Sequence, residues 1–228
     1  KNLLNDAKLL RTYKNNVAKI DGYLEDYAYF TNALLDVFEI SPDSHYLELS
    51  LKLGSHLIEH FWDSQHNSFF MTSDTHEQLI IRPKSNYDLS MPSGNSVASF
   101  VMLRLYHLSQ EQKFLDITTK IIESQAQMAA ENPFGFGFLL NTISMYYEKP
   151  TEITIINTEN SEICNSVLSS YLPNSIIVTV ATPEQLESLK KFPFFEGKSF
   201  EEKTSAFVCK NFTCSLPLHT IDEINSAL

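Results

Sequence analysis

Two aspartates carry the first chemical suggestion in this chain. Asp26 stands in the first turn of an apolar segment that begins at Tyr23, and Asp88 stands seven residues before a second segment that opens at Asn95. Two carboxylates facing one cleft can share general acid and general base work on a sugar, because their environments split their pKa values. Aspartates at helix starts also act as plain caps, and either one can pair with Arg82 or Lys84. Arg82 offers a fork suited to a carboxylate or phosphate, or an internal salt bridge across a long connection. Tyr23, Tyr27, Trp62, Phe69 and Tyr87 supply aromatic faces for stacking, with Phe69 expected in the core. Ser93 and Asn95 flank Gly94 and read as N-caps that can also line an anion site. The Gly-Lys-Ser/Thr ending of a phosphate loop is missing. The expectation is Asp26 and Asp88 as acid and base, Arg82, Ser93 and Asn95 as substrate positioners, and Tyr27 and Trp62 as stacking groups.

Other motifs carry less. His56-Leu57-Ile58-Glu59-His60 spells an inverted zinc-protease string. Its two histidines share a helix face, but no spacing suggests a third ligand, so no metal is expected. Cys209 and Cys214 are separated by four residues, which is not the C-x-x-C spacing, and no second pair completes a zinc site. They read as a redox pair or as two buried structural thiols. Cys164 falls in a helix and is expected in the core. No cofactor is implied.

Composition sets outer bounds. The chain has 228 residues, 43% of them apolar and 20% charged, with a formal net charge of −11. An acidic surface argues against nucleic-acid and anionic-membrane binding. No apolar run approaches the ~20 residues of a membrane span, and no signal-peptide core opens the sequence, so a cytoplasmic protein is expected.

The elements that must position these groups are mainly helical. Leu3, Leu4, Ala7, Leu10 and Tyr13 fall on one stripe and predict an outer helix. Asp21-Gly22 breaks it. Tyr23 to Phe38 predicts an enclosed helix, His45 to Phe61 an outer amphipathic one. Phe69-Phe70-Met71 and Leu79-Ile80-Ile81 predict a β-hairpin around the polar turn Ser73 to Glu77, an insertion near residues 68–82. Pro92-Ser93-Gly94-Asn95-Ser96 then leads into an almost wholly apolar helix, Asn95 to Leu108, which must be surrounded by protein. Lys113 to Met128 is striped, and Phe136 to Tyr147 is expected to be buried. Outer and inner helices alternating in three hairpins describe half of an α/α toroid, with the polar motifs gathered at one mouth. After Lys149-Pro150 the pattern changes to strand, helix, strand (Ile153 to Ile156, Ser161 to Tyr171, Ser175 to Ala181), a parallel βαβ unit. A short helix from Pro183, a strand from Thr204 and a helix capped by Thr220 complete it. The expected division is 1–150, half a toroid, and 151–228, a small α/β region.

The motifs also resemble a family. Gly22-Tyr23-Leu24-Glu25-Asp26-Tyr27-Ala28, His60-Phe61-Trp62-Asp63, Phe69-Phe70, Arg82-Pro83-Lys84 with Asp88, and Pro92-Ser93-Gly94-Asn95-Ser96 are similar, in order, to the signatures of the YyaL or spermatogenesis-associated-protein-20-like proteins. Ala206-Phe207-Val208-Cys209 with Cys214 and Pro217 is similar to that family's C-terminal end. Where the family has paired glycines before the two phenylalanines, this chain has Asn67-Ser68. The resemblance implies a six-hairpin toroid like those of sugar epimerases and six-hairpin glycosidases. It also implies a thioredoxin-like region and the first half of the ring upstream, so that this piece alone would be inactive. The function implied is carbohydrate binding or processing, epimerase- or glycoside-hydrolase-like. Its expected partners are a small sugar and either the upstream half or a second copy of the chain. A non-catalytic protein-interaction module, or a redox-linked protein using Cys209 and Cys214, are the alternatives.

Overall fold

The chain begins with strands where the spacing of Leu3 to Tyr13 predicts a helix. In the computed structural model, which describes residues 2–77, 80–158 and 161–228, β1 (Leu4–Asn5), β2 (Lys8–Lys14) and β3 (Val17–Asp21) form an antiparallel meander. Leu10 lies opposite Asp21 and Lys14 opposite Val17. The turns decide the outcome. Asn15 and Asn16 hold φ values of 52° and 60°, and two adjacent left-handed residues make a tight hairpin whose twist suits the flanking strands. The ladder then takes the amides a helix would have used, and Leu9 reaches the core. The expected three helical hairpins therefore lose their first member.

Gly22 ends the meander by a close approach. Its amide donates to the Leu9 carbonyl at 2.9 Å, and a Cβ there would meet that oxygen at 3.2 Å and the Tyr27 ring at 3.2 Å. Helix α1 (Leu24–Ile40) follows, then the Ser41-Pro42-Asp43 turn, then α2 (Ser44–Phe61). Asp43 Oδ1 accepts from the His45 amide at 2.9 Å at the start of α2.

Among the described residues Phe69 pairs elsewhere than the predicted hairpin of 69–71 with 79–81 places it. The ladder joins β4 (Trp62–Asp63) to β5 (Ser68–Phe69), with Trp62 opposite Phe69 and Asp63 opposite Ser68. Leu79 lies outside the described residues, and Ile80 and Ile81 are exposed. Asp63 closes the turn early by accepting from the Gln65 amide at 2.9 Å. Asn67 takes φ 49°, a conformation asparagine tolerates better than most residues.

Helix α3 (Gly94–Ser109) is capped by Ser93, whose side chain accepts from the Ser96 amide. Val97, Ala98, Val101, Met102, Leu103, Leu105 and Leu108 are all buried, the enclosure that its all-round apolar sequence demands. Its neighbour α4 (Gln112–Glu131) is striped and bonds to it through Thr118 Oγ1, which donates to the Ser99 carbonyl at 3.3 Å. A 3-10 turn, Pro133–Gly135, leads to α5 (Gly137–Glu148). Enclosure fails for α1 and α5. Phe30, Val37 and Ile40 of α1 are exposed, as is Tyr147 of α5, while Leu139, Thr142 and Met145 of α5 are buried. Both helices are amphipathic because a polar or wet flank remains on each.

The last third is a mixed sheet. β6 (Thr151–Ile156), α6 (Glu162–Ser169) and β7 (Ser175–Val180) make the expected parallel unit; α7 (Pro183–Leu189), β8 (Ser205–Lys210), β9 (Thr213–Cys214) and α8 (Ile221–Ala227) follow. The strand order is β7-β6-β8-β9, with β8 and β9 antiparallel to their neighbours. Ile153, Ile155, Cys164, Val167, Ala206, Val208 and Ile224 form its core.

The chain divides into two compact units, Lys1–Leu34 with Glu48–Ile143, and Leu35–Leu47 with Ser144–Leu228. The second therefore begins before Pro150. It also takes in the α1–α2 tip, through Thr179 Oγ1, which lies 3.2 Å and 3.0 Å from the carbonyl oxygens of Glu39 and Ile40.

Candidate functional site

Both expected acid/base groups are engaged with backbone. Asp88 is buried; its Oδ1 accepts from the Ser93 amide and its Oδ2 from the Phe138 amide, each at 2.7 Å. Its own amide donates to the Gly135 carbonyl at 2.8 Å. The side chain thus ties the loop before α3 to the start of α5. Asp26 Oδ2 accepts from the Tyr23 amide at 2.8 Å, a cap on α1, with Arg11 Nε 3.9 Å away. Asn95 is fully buried and acts as a clamp. Its Oδ1 accepts from the Phe69 amide at 2.6 Å, and its Nδ2 donates to the carbonyls of Phe69 and Ser85, both at 3.0 Å. Tyr27 is also core: its hydroxyl oxygen accepts from the Leu9 amide at 2.9 Å, and burial pushes the phenol's pKa up.

What remains at the starts of α1 and α3 is a cleft of about 210 Å³. Tyr23, Glu25, Ser85, Tyr87, Ser90 and Ser93 give it polar groups, and Met71, Leu89, Met91 and Pro92 apolar ones. Of the expected site residues it contains Ser93. Among the described residues the hydroxyls of Tyr23, Tyr87, Ser85 and Ser90 have no hydrogen-bond partner, whereas Ser93 Oγ bonds Ser96. The carboxylate in this cleft is Glu25, one residue before Asp26, paired with Arg11 Nη2 at 3.0 Å. Gly94 lets α3 approach α1: a Cβ on it would lie 2.9 Å from Leu24 Cγ and 3.3 Å from the Glu25 amide nitrogen. A second, larger cleft of about 710 Å³ adjoins it through Glu25 and Met91, with Arg11, Asp26 and Tyr29 in its wall. The Tyr29 hydroxyl donates to the Pro92 carbonyl at 2.8 Å, and burial, helped by the charges of Asp88 and Glu25, raises its pKa. Sequence reading missed Arg11 because it placed β2 in a helix, and missed Glu25 and Tyr29 because neither stood out from an apolar segment.

Trp62 and Arg82 lie together, but in another cleft, of about 630 Å³, with Asp63, His66, Phe70 and Lys84. Arg82 Nη2 donates to the His60 and Thr72 carbonyls, and its guanidinium stacks on Phe70 at 4.1 Å. Lys84 bonds Asp63 and also lies over Phe70, at 4.6 Å. The Lys84 ammonium, with His66 and the Gln65 amide, holds the Asp63 carboxyl well below the usual carboxylate range. The arginine thus ties the long connection through carbonyl oxygens rather than through the expected salt bridge.

His56 stacks on Tyr27 with ring centroids 5.1 Å apart, and His60 Nδ1 contacts Asp74 at 2.9 Å. Burial, then the neighbouring His60, lowers the His56 pKa. In the sheet unit Cys209 and Cys214 are joined by a disulfide, so they are not two thiols. Cys164 is the free, buried one.

No family model matches the chain. Individual relatives do. The chain is 26% identical over 213 residues to spermatogenesis-associated protein 20 of Homo sapiens and 25% identical to that of Rattus norvegicus, covering 91% of this chain each time. The chain is a homologue of spermatogenesis-associated protein 20. An uncharacterized protein of Caenorhabditis elegans is 22% identical over 210 residues. The chain spans 27% of the length of its human and rat spermatogenesis-associated protein 20 relatives. Among the described residues no helix is long and apolar enough to cross a membrane.

Proposed function

We propose that this chain is the C-terminal part of a spermatogenesis-associated protein 20-like protein, that α1 to α5 belong to an α/α toroid, and that the cleft between the starts of α1 and α3 binds one small polyhydroxylated ligand of the carbohydrate class. The observation that carries the reading is the cleft's lining: two tyrosine rings, two unpartnered serine hydroxyls and Glu25 around a space of about 210 Å³. That space is smaller than the ~300 Å³ at which drug-sized pockets begin, and suits a single sugar ring. Aromatic faces meet the ring's C–H surface while hydroxyls and a carboxylate take its O–H groups.

The role assigned to this chain is binding. Glycoside hydrolysis uses two carboxyl groups set across the bond. Asp88 gives both oxygens to amides and Asp26 gives Oδ2 to the Tyr23 amide, and Glu25 is the acidic residue lining this cleft. Turnover would need a second group from elsewhere in a longer protein.

Saturation-transfer NMR of the chain with a panel of monosaccharides tests the reading. Transfer to at least one sugar is expected, with Tyr87→Ala and Glu25→Ala abolishing it and Lys203→Ala, on the sheet unit, leaving it intact. Absence of transfer across the panel, or transfer indifferent to both cleft substitutions, would overturn it.

A further inference from the structure

The sheet unit holds a feature that the cleft reading does not use. β8 and β9 form a hairpin closed by the Cys209–Cys214 disulfide, with the two cysteines directly opposite in the ladder. The two sulfurs are unequally placed. Cys209 is 1% exposed, whereas Cys214 lies on the exposed edge strand. Asn211 and Phe212, at φ 52° and 60°, turn the chain so tightly that the hairpin tip and Cys214 project together.

Behind Cys214 lies a buried ammonium. Lys198 is 6% exposed, and its Nζ donates to the Phe194 carbonyl and lies 3.8 Å from Cys214 Sγ. Glu152, opposite Cys209 in the ladder, is the acidic group facing it, and the Phe194 ring lies 5.3 Å away. A lysine has three donors. One of these goes to a carbonyl, and another to a disulfide sulfur, a weak acceptor. Burying a cation is costly unless its bonds are good, so in the oxidised protein Lys198 is poorly served at that sulfur. Reduction changes the acceptor. A Cys214 thiolate would give Lys198 a charge-assisted bond where it now has a weak one.

We propose that Cys209–Cys214 is a thiol–disulfide exchange site for low-molecular-weight thiols, with Cys214 as the exchanging sulfur, Cys209 as the resolving one, and Lys198 as the group that stabilises the reduced form. An incoming thiolate attacks Cys214 Sγ. The sulfur–sulfur bond breaks, its electron pair leaves with Cys209, and the buried Cys209 thiolate takes a proton from water. A second thiolate attacks the sulfur of the bound thiol, and Cys214 departs as a thiolate beside Lys198. Two thiols are oxidised to a disulfide and the protein disulfide is reduced by the same two electrons. In the reverse direction the Cys214 thiolate is the nucleophile, its reactivity set by the fraction ionised. The site belongs wholly to the sheet unit and stands or falls apart from the sugar cleft.

The test equilibrates the 228-residue chain in mixtures of reduced and oxidised glutathione, quenches with an alkylating agent and reads the cysteines by mass spectrometry. The disulfide is expected to titrate within the accessible range of glutathione ratios. Lys198→Met should shift the equilibrium about tenfold toward the disulfide, one pK unit of lost thiolate stabilisation, and Lys198→Arg should keep it within about twofold of the parent. Cys209→Ser should form a mixed disulfide with glutathione at Cys214, and Cys214→Ser should leave Cys209 unmodified. Should Lys198→Met fail to fold, the pH dependence of Cys214 alkylation in the reduced parent chain decides the matter. A midpoint below that of a free cysteine supports the site. A midpoint at or above it, a disulfide untouched by excess reduced glutathione, or modification of Cys209 in preference to Cys214, would overturn the proposal.

Discussion

The helical unit and the sheet unit bury charged groups in different ways. In the helical unit Asp88 gives each carboxylate oxygen a backbone amide, both at 2.7 Å, and Asp63 is met by Lys84, His66 and the Gln65 amide. These groups are saturated. Any change in their ionisation or partners costs stability, and nothing is left over to bind a ligand. In the sheet unit Lys198 is as buried, yet one of its bonds ends on the sulfur of an exposed cysteine. The lesson is that burial by itself does not separate structural charge from chemical charge. The quality of the last partner, and whether that partner can change its own charge, does.

Substitutions can break or sharpen this contrast. The largest effect is expected for Asp88→Ala, which orphans the Ser93 and Phe138 amides. It should lower the stability of the helical unit by about 3 kcal/mol, read in urea by the fluorescence of Trp62, the single tryptophan. Asp88→Asn retains one good acceptor and should cost about half as much. If both cost under about 0.5 kcal/mol, the clamp assigned to Asp88 is wrong. Asn95→Ala comes next. It removes one acceptor and two donor bonds between α3 and the connection before it, and about 2 kcal/mol is expected from the same titration.

Acid should separate the units as well. The native Asp63 pKa is depressed by Lys84, so its stabilising contribution is complete above the unfolded carboxylate pKa of about 3.9 and is lost as pH falls through the depressed native value. His56, whose native pKa is lowered by burial, adds a loss that begins higher, as pH drops below the unfolded histidine pKa of about 6.5. Stability of the helical unit measured from pH 7 to pH 2 should therefore begin to fall below about pH 6.5 and fall again below about pH 3.9, and His56→Gln should remove the first loss. Gly94→Ala is a smaller test. Its new methyl must displace Leu24, at a cost of about 1–2 kcal/mol. Smallest of all, Glu25→Gln should change stability by less than about 0.5 kcal/mol, since its partner Arg11 is exposed, while weakening any sugar that occupies the cleft.

Much of the chain was legible from residue spacing. α3 is apolar on nearly every face, and enclosure is what satisfies such a helix. Val178 and its neighbours, following a short helix after Ile153 to Ile156, read as a parallel pair because a strand–helix–strand path returns the chain that way. Thr220 reads as the cap of the last helix and is one, in a capping box with Glu223. The misreadings share a cause. Leu3 to Tyr13 carries a helical stripe, yet Asn15 and Asn16 turn the chain back and the ladder wins. Phe69 to Met71 is apolar enough for a strand, but the Asp63 side chain closes the turn before that run begins. In each case a polar turn residue, local and easily overlooked, outweighed apolar periodicity. The candidate site was misread for a related reason. Asp26 and Asp88 have the residue type that chemistry needs, and type does not reveal that amides already hold both oxygens of Asp88 and one of Asp26.

By itself the sequence determined which segments are helical after Gly22, that α3 is enclosed, and that the C-terminal third carries a parallel pair. These follow from local propensity and from the area each segment must hide. Only the tertiary structure decided which carboxylate faces open space, that Trp62 and Arg82 share a cleft apart from Ser93, and that a buried lysine stands against one sulfur of a disulfide. Those are relations between residues far apart in the chain, and they are set by how the backbone's unpaired amides and carbonyls find partners once the apolar faces have closed.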